Sequence, residues 1–243
     1  MSLKKQILIV GGGFGGVKAA LELEEDSGLE VTLISDKTNF EYHPTLYRTA
    51  TGGRRVISSI SLAEIFEGKN VKIIKGQASK LDSDKKTLQT SEDKLLHYDY
   101  LVLALGTATN YFGIKGLDKY SYGIKGLTDA EELKNHLHQQ LIEEHKPDPH
   151  YVIVGGGPTG VELAGAMPGY IKQIMKNHGL KPRAVHVDLI EAAPRLMPRM
   201  PKSVSKAIAK RLRKLGVKLL LSKAVQGETP DALVVDGHPI KTQ

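Results

Sequence analysis

Two glycine-rich strings in this chain have the spacing to hold a phosphate group. Residues 7–20 read ILIVGGGFGGVKAA and residues 152–165 read VIVGGGPTGVELAG. Each is a short apolar run, then G-x-G-x-x-G, then small and apolar residues suited to a helix. The glycines are Gly11, Gly13 and Gly16 in the first string and Gly155, Gly157 and Gly160 in the second, at one constant offset. In such a turn the first glycine allows the sharp bend and the second lets a pyrophosphate approach the backbone. The third lets the helix pack on the strand. The anion then meets backbone N–H groups and the positive end of a helix dipole. Phe14 and Gly15 open the first helix, while Pro158, suited to a first turn, and Thr159 open the second. A lone G-x-G-x-x-G also fits ordinary turns, but both copies here follow a strand and precede a helix.

The same fingerprint asks for a carboxylate at the end of the next strand, to accept hydrogen bonds from ribose hydroxyls. Asp36 follows Gly16 at the usual distance of about 20 residues. Its neighbour Ser35 takes that place if the strand ends one residue earlier. In the second copy Glu191 closes the run VDLIE. A carboxylate there suits a 2′-hydroxyl and repels a 2′-phosphate, so NADH is expected over NADPH, a preference that Arg195 would soften. Two dinucleotide grips in one chain imply electrons passing between two dinucleotides, and FAD with NADH is the usual pair.

The elements that must position these turns follow from hydrophobic periodicity. Apolar runs predict strands at 5–10, 31–34, 71–74 and 101–105, with a helix from Gly15 to about Glu25 and a polar hairpin excursion at 81–96. Thr128 and Glu131 have the spacing of a capping box, so a helix is expected from there to about His145, with a breaker at 146–149. A second unit begins at Tyr151, with a helix from Pro158, a strand within 186–195, a helix over 202–215, a strand over 217–221 and a hairpin strand within 232–240. Pro168 falls inside the helix from Pro158 and is expected to kink or end it. Strands alternating with helices predict an α/β fold of two Rossmann-like dinucleotide-binding units with parallel sheets.

Composition narrows the function classes. The chain has 243 residues, 40% apolar and 25% charged, enough for one large domain or two modest ones. No apolar run approaches the roughly 18–20 residues of a membrane span, and no signal segment opens the chain, so a cytoplasmic location is expected. There is no cysteine, which removes disulfide frameworks, thiolate metal sites and cysteine nucleophiles. The net charge of +7 is spread along the chain without aromatic interleaving, so nucleic acid is not an expected partner. The basic cluster at 202–218 has Val204, Ala207, Ile208, Arg211, Leu212 and Leu215 at helical spacing, as in a surface helix with one face inward. The nine histidines form no ligand motif, and no metal is expected.

Several strings together resemble the pyridine nucleotide-disulfide oxidoreductase superfamily, and within it the type II NADH dehydrogenases. They are GGGFGG, NFEYHPTLYRTATG at 39–52, YDYLVLALGTATNYFGIKG at 98–116, VIVGGGPTGVELAG, and LIEAAPRLMPRMP at 189–201. The resemblance covers essentially the whole chain. It implies an FAD-binding domain at 1–116, a connecting helix and linker at 117–149, and an NAD(H)-binding domain at 150–243 inserted after it. It implies that Pro44, Thr45 and Leu46 line the flavin, where disulfide reductases of the superfamily carry a redox cysteine pair. It further implies that the backbone of Ala78 meets the adenine. Ala104 and Gly106, in LVLALG, match a flavin-contacting hhhhATG run, with Leu105 where threonine is usual. His43 and Tyr47 read equally well as residues anchoring a turn. Glu162 is the implied catalytic carboxylate, positioning nicotinamide or relaying a proton near the acceptor, although a first-turn glutamate is also favoured by the helix dipole.

Members of the superfamily run on to a return strand, a T-x(n)-G-D segment on the flavin and a carboxy-terminal region that meets membrane and quinone. This chain stops at DGHPIKTQ, so its FAD domain reads as incomplete. The resemblance implies hydride transfer from NADH to FAD and then electrons to a quinone. The parent would sit peripherally on the cytoplasmic face of a membrane, with a homodimer possible. A ferredoxin or rubredoxin reductase, and for this piece a nucleotide-binding module without turnover, are the alternatives.

Overall fold

The computed structural model describes residues 4–144, 149–181 and 184–242. They fall into two compact units, one of residues 1–42 with 59–108 and the other of residues 43–58 with 109–243.

The first unit is built around the strand Lys5–Val10, whose last four residues are buried. A strand apolar on both faces belongs inside a covered parallel sheet. Leu29–Ser35 pairs with it on one side and Tyr100–Leu103 on the other, with Val71–Lys75 beyond, all parallel. The helix Phe14–Leu23 makes the first crossover and buries Gly16, Val17 and Ala20 in a core with Ile7, Ile9, Val31 and Leu33. Strand order reverses between Lys5–Val10 and Tyr100–Leu103, the switch point where open α/β sheets take ligands. The strand expected at 101–105 ends at Leu103. Its neighbour ends at Val10, whose carbonyl accepts a last bond from the N–H of Ala104, and Leu105 is left exposed. Ala78–Asp82, Thr87–Thr90 and Leu95–His97 form the antiparallel excursion, and Asn39–Glu41 pairs with Ser59–Ser61.

The second unit repeats the plan. His150–Val154, His186–Glu191 and Lys218–Leu221 form a parallel sheet, crossed by the helices Pro158–Asn177 and Lys202–Lys214. The helix Leu127–His138 adds Leu127, Ala130, Leu133 and Leu137, one helical face, to its core, and the short helix Leu46–Ala50 adds Leu46 and Ala50.

Four expectations for this unit are corrected. The capping box of Thr128 and Glu131 does not form. Gly126 is the N-cap, and the Asp129 carboxylate accepts the N–H groups of Gly126 and Lys125, each at 2.9 Å. Burial of Leu127 sets this start, because a cap at Thr128 would leave Leu127 outside the helical face that enters the core. The α-helix ends at His138, and Gln139–Glu143 continue as a π turn that carries Leu141 into the core. His145 and the breaker residues Lys146, Pro147 and Asp148 lie outside the described residues. Pro168 does not end its helix, which runs to Asn177. An internal proline costs about 3 kcal/mol, but Tyr170, Ile171, Ile174 and Met175 beyond it are all buried. Each apolar side chain of that size contributes roughly 1.5–3 kcal/mol, so the core holds the second half helical. Finally, the hairpin gains a third strand. Val225–Glu228 joins Ala232–Val235 and His238–Lys241, the last two linked through Asp236 and Gly237 at φ +49° and +78°, as a two-residue type I′ turn requires.

Candidate functional site

The first turn follows directly from the end of Lys5–Val10. Gly11 has φ +116°, and its N–H bonds the carbonyl of Ile34 at 2.8 Å. A Cβ there would stand 2.2 Å from the carbonyl oxygen of Ala104, across the switch point. A Cβ on Gly16 would stand 1.8 Å from the carbonyl oxygen of Gly11, so the helix can lie on the turn only with glycine there. Gly13, the N-cap of Phe14–Leu23, has no atom within 4 Å of where a Cβ would be. One glycine therefore bends, one packs, and one keeps the approach to the helix N-terminus open. Phe14 is half exposed beside the opening, with its ring 4.8 Å from that of Phe40 and 5.6 Å from that of Tyr42. The aromatic run of NFEY carried this signal, but sequence spacing did not tie it to Phe14.

The second turn has the same geometry. Gly155 has φ +107° and donates to the carbonyl of Ile190 at 2.8 Å. A Cβ on Gly160 would meet the carbonyl oxygen of Gly155 at 2.0 Å, and Gly157 is again open. Pro158 and Thr159 form the exposed first turn of the helix. Both turns thus present a glycine-lined approach to helix N–H groups, a cradle that fits a dinucleotide pyrophosphate.

The two copies differ at the ribose position. Val10 pairs with Ile34 and Val154 with Ile190, so Ser35 is the counterpart of Glu191. Leu29–Ser35 ends at Ser35, and Asp36 lies exposed one residue beyond it. Ser35 is buried, accepts the N–H of Lys37 at 3.2 Å, and has its hydroxyl where it would touch a Cβ on Gly12. In the second copy the Glu191 carboxylate accepts the N–H of Gly156 at 2.6 Å and that of Ala193 at 2.7 Å. Each of its oxygens keeps a lone pair for a further donor.

Arg195 does not stand ready for a 2′-phosphate. Its Nη1 donates to the carbonyls of Met200 at 2.7 Å and Met197 at 3.3 Å and to Ser205 Oγ at 2.8 Å, and its Nη2 donates to the carbonyl of Pro198. The softening of coenzyme preference expected of it is withdrawn on this geometry.

Of the remaining residues, Ala78 opens its strand half-buried among Leu8, Val10 and Ile34. Ala104 lies against Gly11, and Gly106 follows at φ +72°. Pro44, Thr45 and Leu46 belong to the second unit. The Leu46 side chain is buried in that unit's core, leaving only its backbone to offer a ligand, and Thr45 Oγ1 donates to the carbonyl of Ile57 at 2.8 Å. Glu162 stands exposed one turn into the second helix, at a shallow groove of about 490 Å³ shared with Tyr47, Val161, Ala207 and Ile208. Partial burial raises its carboxyl above the usual range, and the Arg48 guanidinium opposes that rise.

Known proteins resemble this chain over most of its length. The family model of pyridine nucleotide-disulphide oxidoreductases matches residues 5–239. A curated relative, the type II NADH:quinone oxidoreductase Ndh of Mycobacterium tuberculosis, is 30% identical over 247 residues, covering 91% of this chain and 51% of the relative. The type II NADH:quinone oxidoreductase of Staphylococcus aureus is 24% identical over 251 residues, covering 99% and 62%. The solved structure of NDH2 from Plasmodium falciparum in complex with NADH superposes with a TM-score of 0.82 at 25% identity, covering 96% of this chain and 50% of that one. The sulfide:quinone oxidoreductase of Aquifex aeolicus shares the fold, with a TM-score of 0.81 at 24% identity and coverage of 98% and 57%. The chain thus spans about half the length of the Mycobacterium tuberculosis relative and somewhat more of the Staphylococcus aureus one.

Proposed function

The chain belongs to the pyridine nucleotide-disulphide oxidoreductase family, and from that premise we propose that it is the nucleotide-binding part of an NADH:quinone oxidoreductase. FAD is assigned to the first turn and NADH to the second. The observation that carries this reading is the repeated glycine cradle with different ribose positions, a buried hydroxyl at Ser35 and a preorganised carboxylate at Glu191. Two cradles that differ at this point suit two different dinucleotides. Bound FAD would supply the ring that accepts two electrons.

The chain's own residues orient and select. Gly11, Gly13 and Gly16 hold one pyrophosphate against the helix Phe14–Leu23, and Gly155, Gly157 and Gly160 hold the other against Pro158–Asn177. Glu191 accepts the adenosine ribose hydroxyls of NADH and repels a 2′-phosphate. Glu162, its carboxyl raised by partial burial, is suited to hold a proton one turn from the nucleotide. The chain contains no cysteine, so it offers no disulfide to carry electrons onward, and the relatives' names support a quinone as acceptor. A lipid-soluble quinone would bring the whole protein to a membrane surface, on its cytoplasmic face. Among the described residues no helix is long and apolar enough to cross one.

The test is the visible spectrum of the protein after addition of FAD. A flavin band near about 450 nm that NADH bleaches without oxygen, and that a water-soluble quinone restores, is the expected result. A folded protein that binds FAD but is not bleached by NADH would overturn the reading, and restoration by small iron–sulfur proteins but not by quinones would overturn the acceptor.

A further inference from the structure

The terminal nitrogens of Arg195 bond its own loop and the first turn of the helix Lys202–Lys214 that follows it. Three backbone carbonyls, those of Met197, Pro198 and Met200, and the hydroxyl of Ser205 accept from its terminal nitrogens. Ser205 is buried and passes the constraint on, donating to the carbonyl of Leu196 at 2.6 Å. The loop so gathered is knitted back to the glycine turn. Met197, at φ +49°, donates its N–H to the carbonyl of Gly156 at 2.8 Å. Leu196 is buried and fills the space that a side chain on Gly156 would need. Gly156 in turn donates to Glu191, whose other oxygen accepts the N–H of Ala193 at the start of the same loop.

We infer that Arg195 is a positioning residue for nucleotide selection: by clamping residues 196–200 it fixes Glu191 in the orientation that reads the adenosine ribose. This inference rests on the assignment of NADH to the second turn. Holding that loop conformation, including a non-glycine residue at positive φ, takes a partner that can satisfy several carbonyls at once. The planar, five-donor guanidinium does this, and an ammonium has neither the fork nor the reach. With the clamp in place, two Glu191 oxygens are each held by one backbone N–H, and each still has a lone pair to accept a ribose hydroxyl. Without it the Ala193 and Gly156 donors lose their fixed places, and the carboxylate turns toward water. The contact first affected is with the ribose hydroxyls. The pyrophosphate cradle keeps a bond from the Gly155 N–H to the carbonyl of Ile190 that does not run through the loop.

The experiment measures displacement of NADH by AMP and by 2′-deoxy-AMP, with FAD saturating so that the first turn is filled. The wild-type protein should bind AMP about tenfold more tightly than 2′-deoxy-AMP, the worth of one charge-assisted hydrogen bond. Arg195→Met should weaken AMP more than 2′-deoxy-AMP, which keeps only its 3′-hydroxyl for Glu191, so that the tenfold preference narrows toward none, with Arg195→Lys in between. An equal loss for both ligands, or no loss for either, overturns the positioning role. If Arg195→Met does not fold, Ser205→Ala removes one acceptor of the clamp and should narrow the AMP preference in the same sense; an unchanged preference overturns the inference. A wild-type protein that binds NADH yet does not distinguish the two ligands would instead remove Glu191 as the ribose acceptor.

Discussion

The carboxylate of Glu191 accepts the backbone N–H of Gly156 at 2.6 Å, so the residue proposed to select the nucleotide is bound to the turn proposed to cradle it. A negative charge fixed beside the ribose position favours hydroxyl donors and opposes a phosphate. Glu191→Gln keeps the shape, and its carbonyl oxygen can still accept from one backbone N–H, but the charge is gone. NADH affinity should fall about tenfold, while NADPH affinity should hold or rise. Titration of nicotinamide fluorescence checks this, and an unchanged ratio of the two affinities contradicts it.

The glycines of each turn should separate into two kinds. A Cβ on Gly16 or Gly160 lands 1.8 or 2.0 Å from a carbonyl oxygen, whereas one on Gly13 or Gly157 meets nothing. Gly160→Ala should therefore destabilise by the roughly 1–3 kcal/mol of overpacking, lowering Tm by about 2–4 °C for each kcal/mol in a chain of this size. Gly157→Ala should leave Tm unchanged and weaken nucleotide binding, since the methyl group occupies the space a pyrophosphate needs. Thermal unfolding together with NADH binding distinguishes them. A large loss of Tm in Gly157→Ala would show that this glycine serves the fold.

Glu228 gives the second unit a pH dependence. Its Oε2 is buried with no hydrogen-bond partner among the described residues, and burial pushes the carboxyl up to about 7 from 4.5. The folded state therefore holds this proton more tightly than the unfolded state does. The stability it contributes is fully present below pH 4.5 and is lost as pH rises through about 7. Glu228→Gln should raise Tm at pH 8 by several degrees and leave it unchanged at pH 4. Equal shifts at both pH values would assign the effect to packing.

Glu162 and Arg48 oppose burial with charge. Desolvation raises the Glu162 carboxyl, and the guanidinium lowers it. Arg48→Met should move the Glu162 ionisation further upward, followed by carbon NMR of the labelled carboxyl against pH. A downward movement would place some other charge in control.

What could be read in the sequence was whatever a few adjacent residues determine. The glycine turns were legible because bend, approach and close packing each demand glycine at a fixed position, and the apolar runs before them could only be covered strands. Spacing alone puts Asp36 ahead of Ser35, but the choice depends on which residue pairs last with Lys5–Val10, a register set across the sheet. Thr128 lost its cap to Asp129, and Pro168 stayed inside its helix, for one reason. Burial of Leu127 in the first case, and of Tyr170, Ile171, Ile174 and Met175 in the second, outweighed the local signal. Arg195 was misread because a cation near a ribose carboxylate suggests a phosphate ligand, while its acceptors are carbonyls of a loop that sequence does not fold.

The central claim is that the two turns hold two different dinucleotides at once. Equilibrium dialysis of the protein with labelled FAD and labelled NADH, each alone and both together, tests it most directly. The account predicts about one of each per chain, with neither displacing the other, and loss of NADH alone in Gly157→Ala. Competition of FAD and NADH for a single site would contradict it.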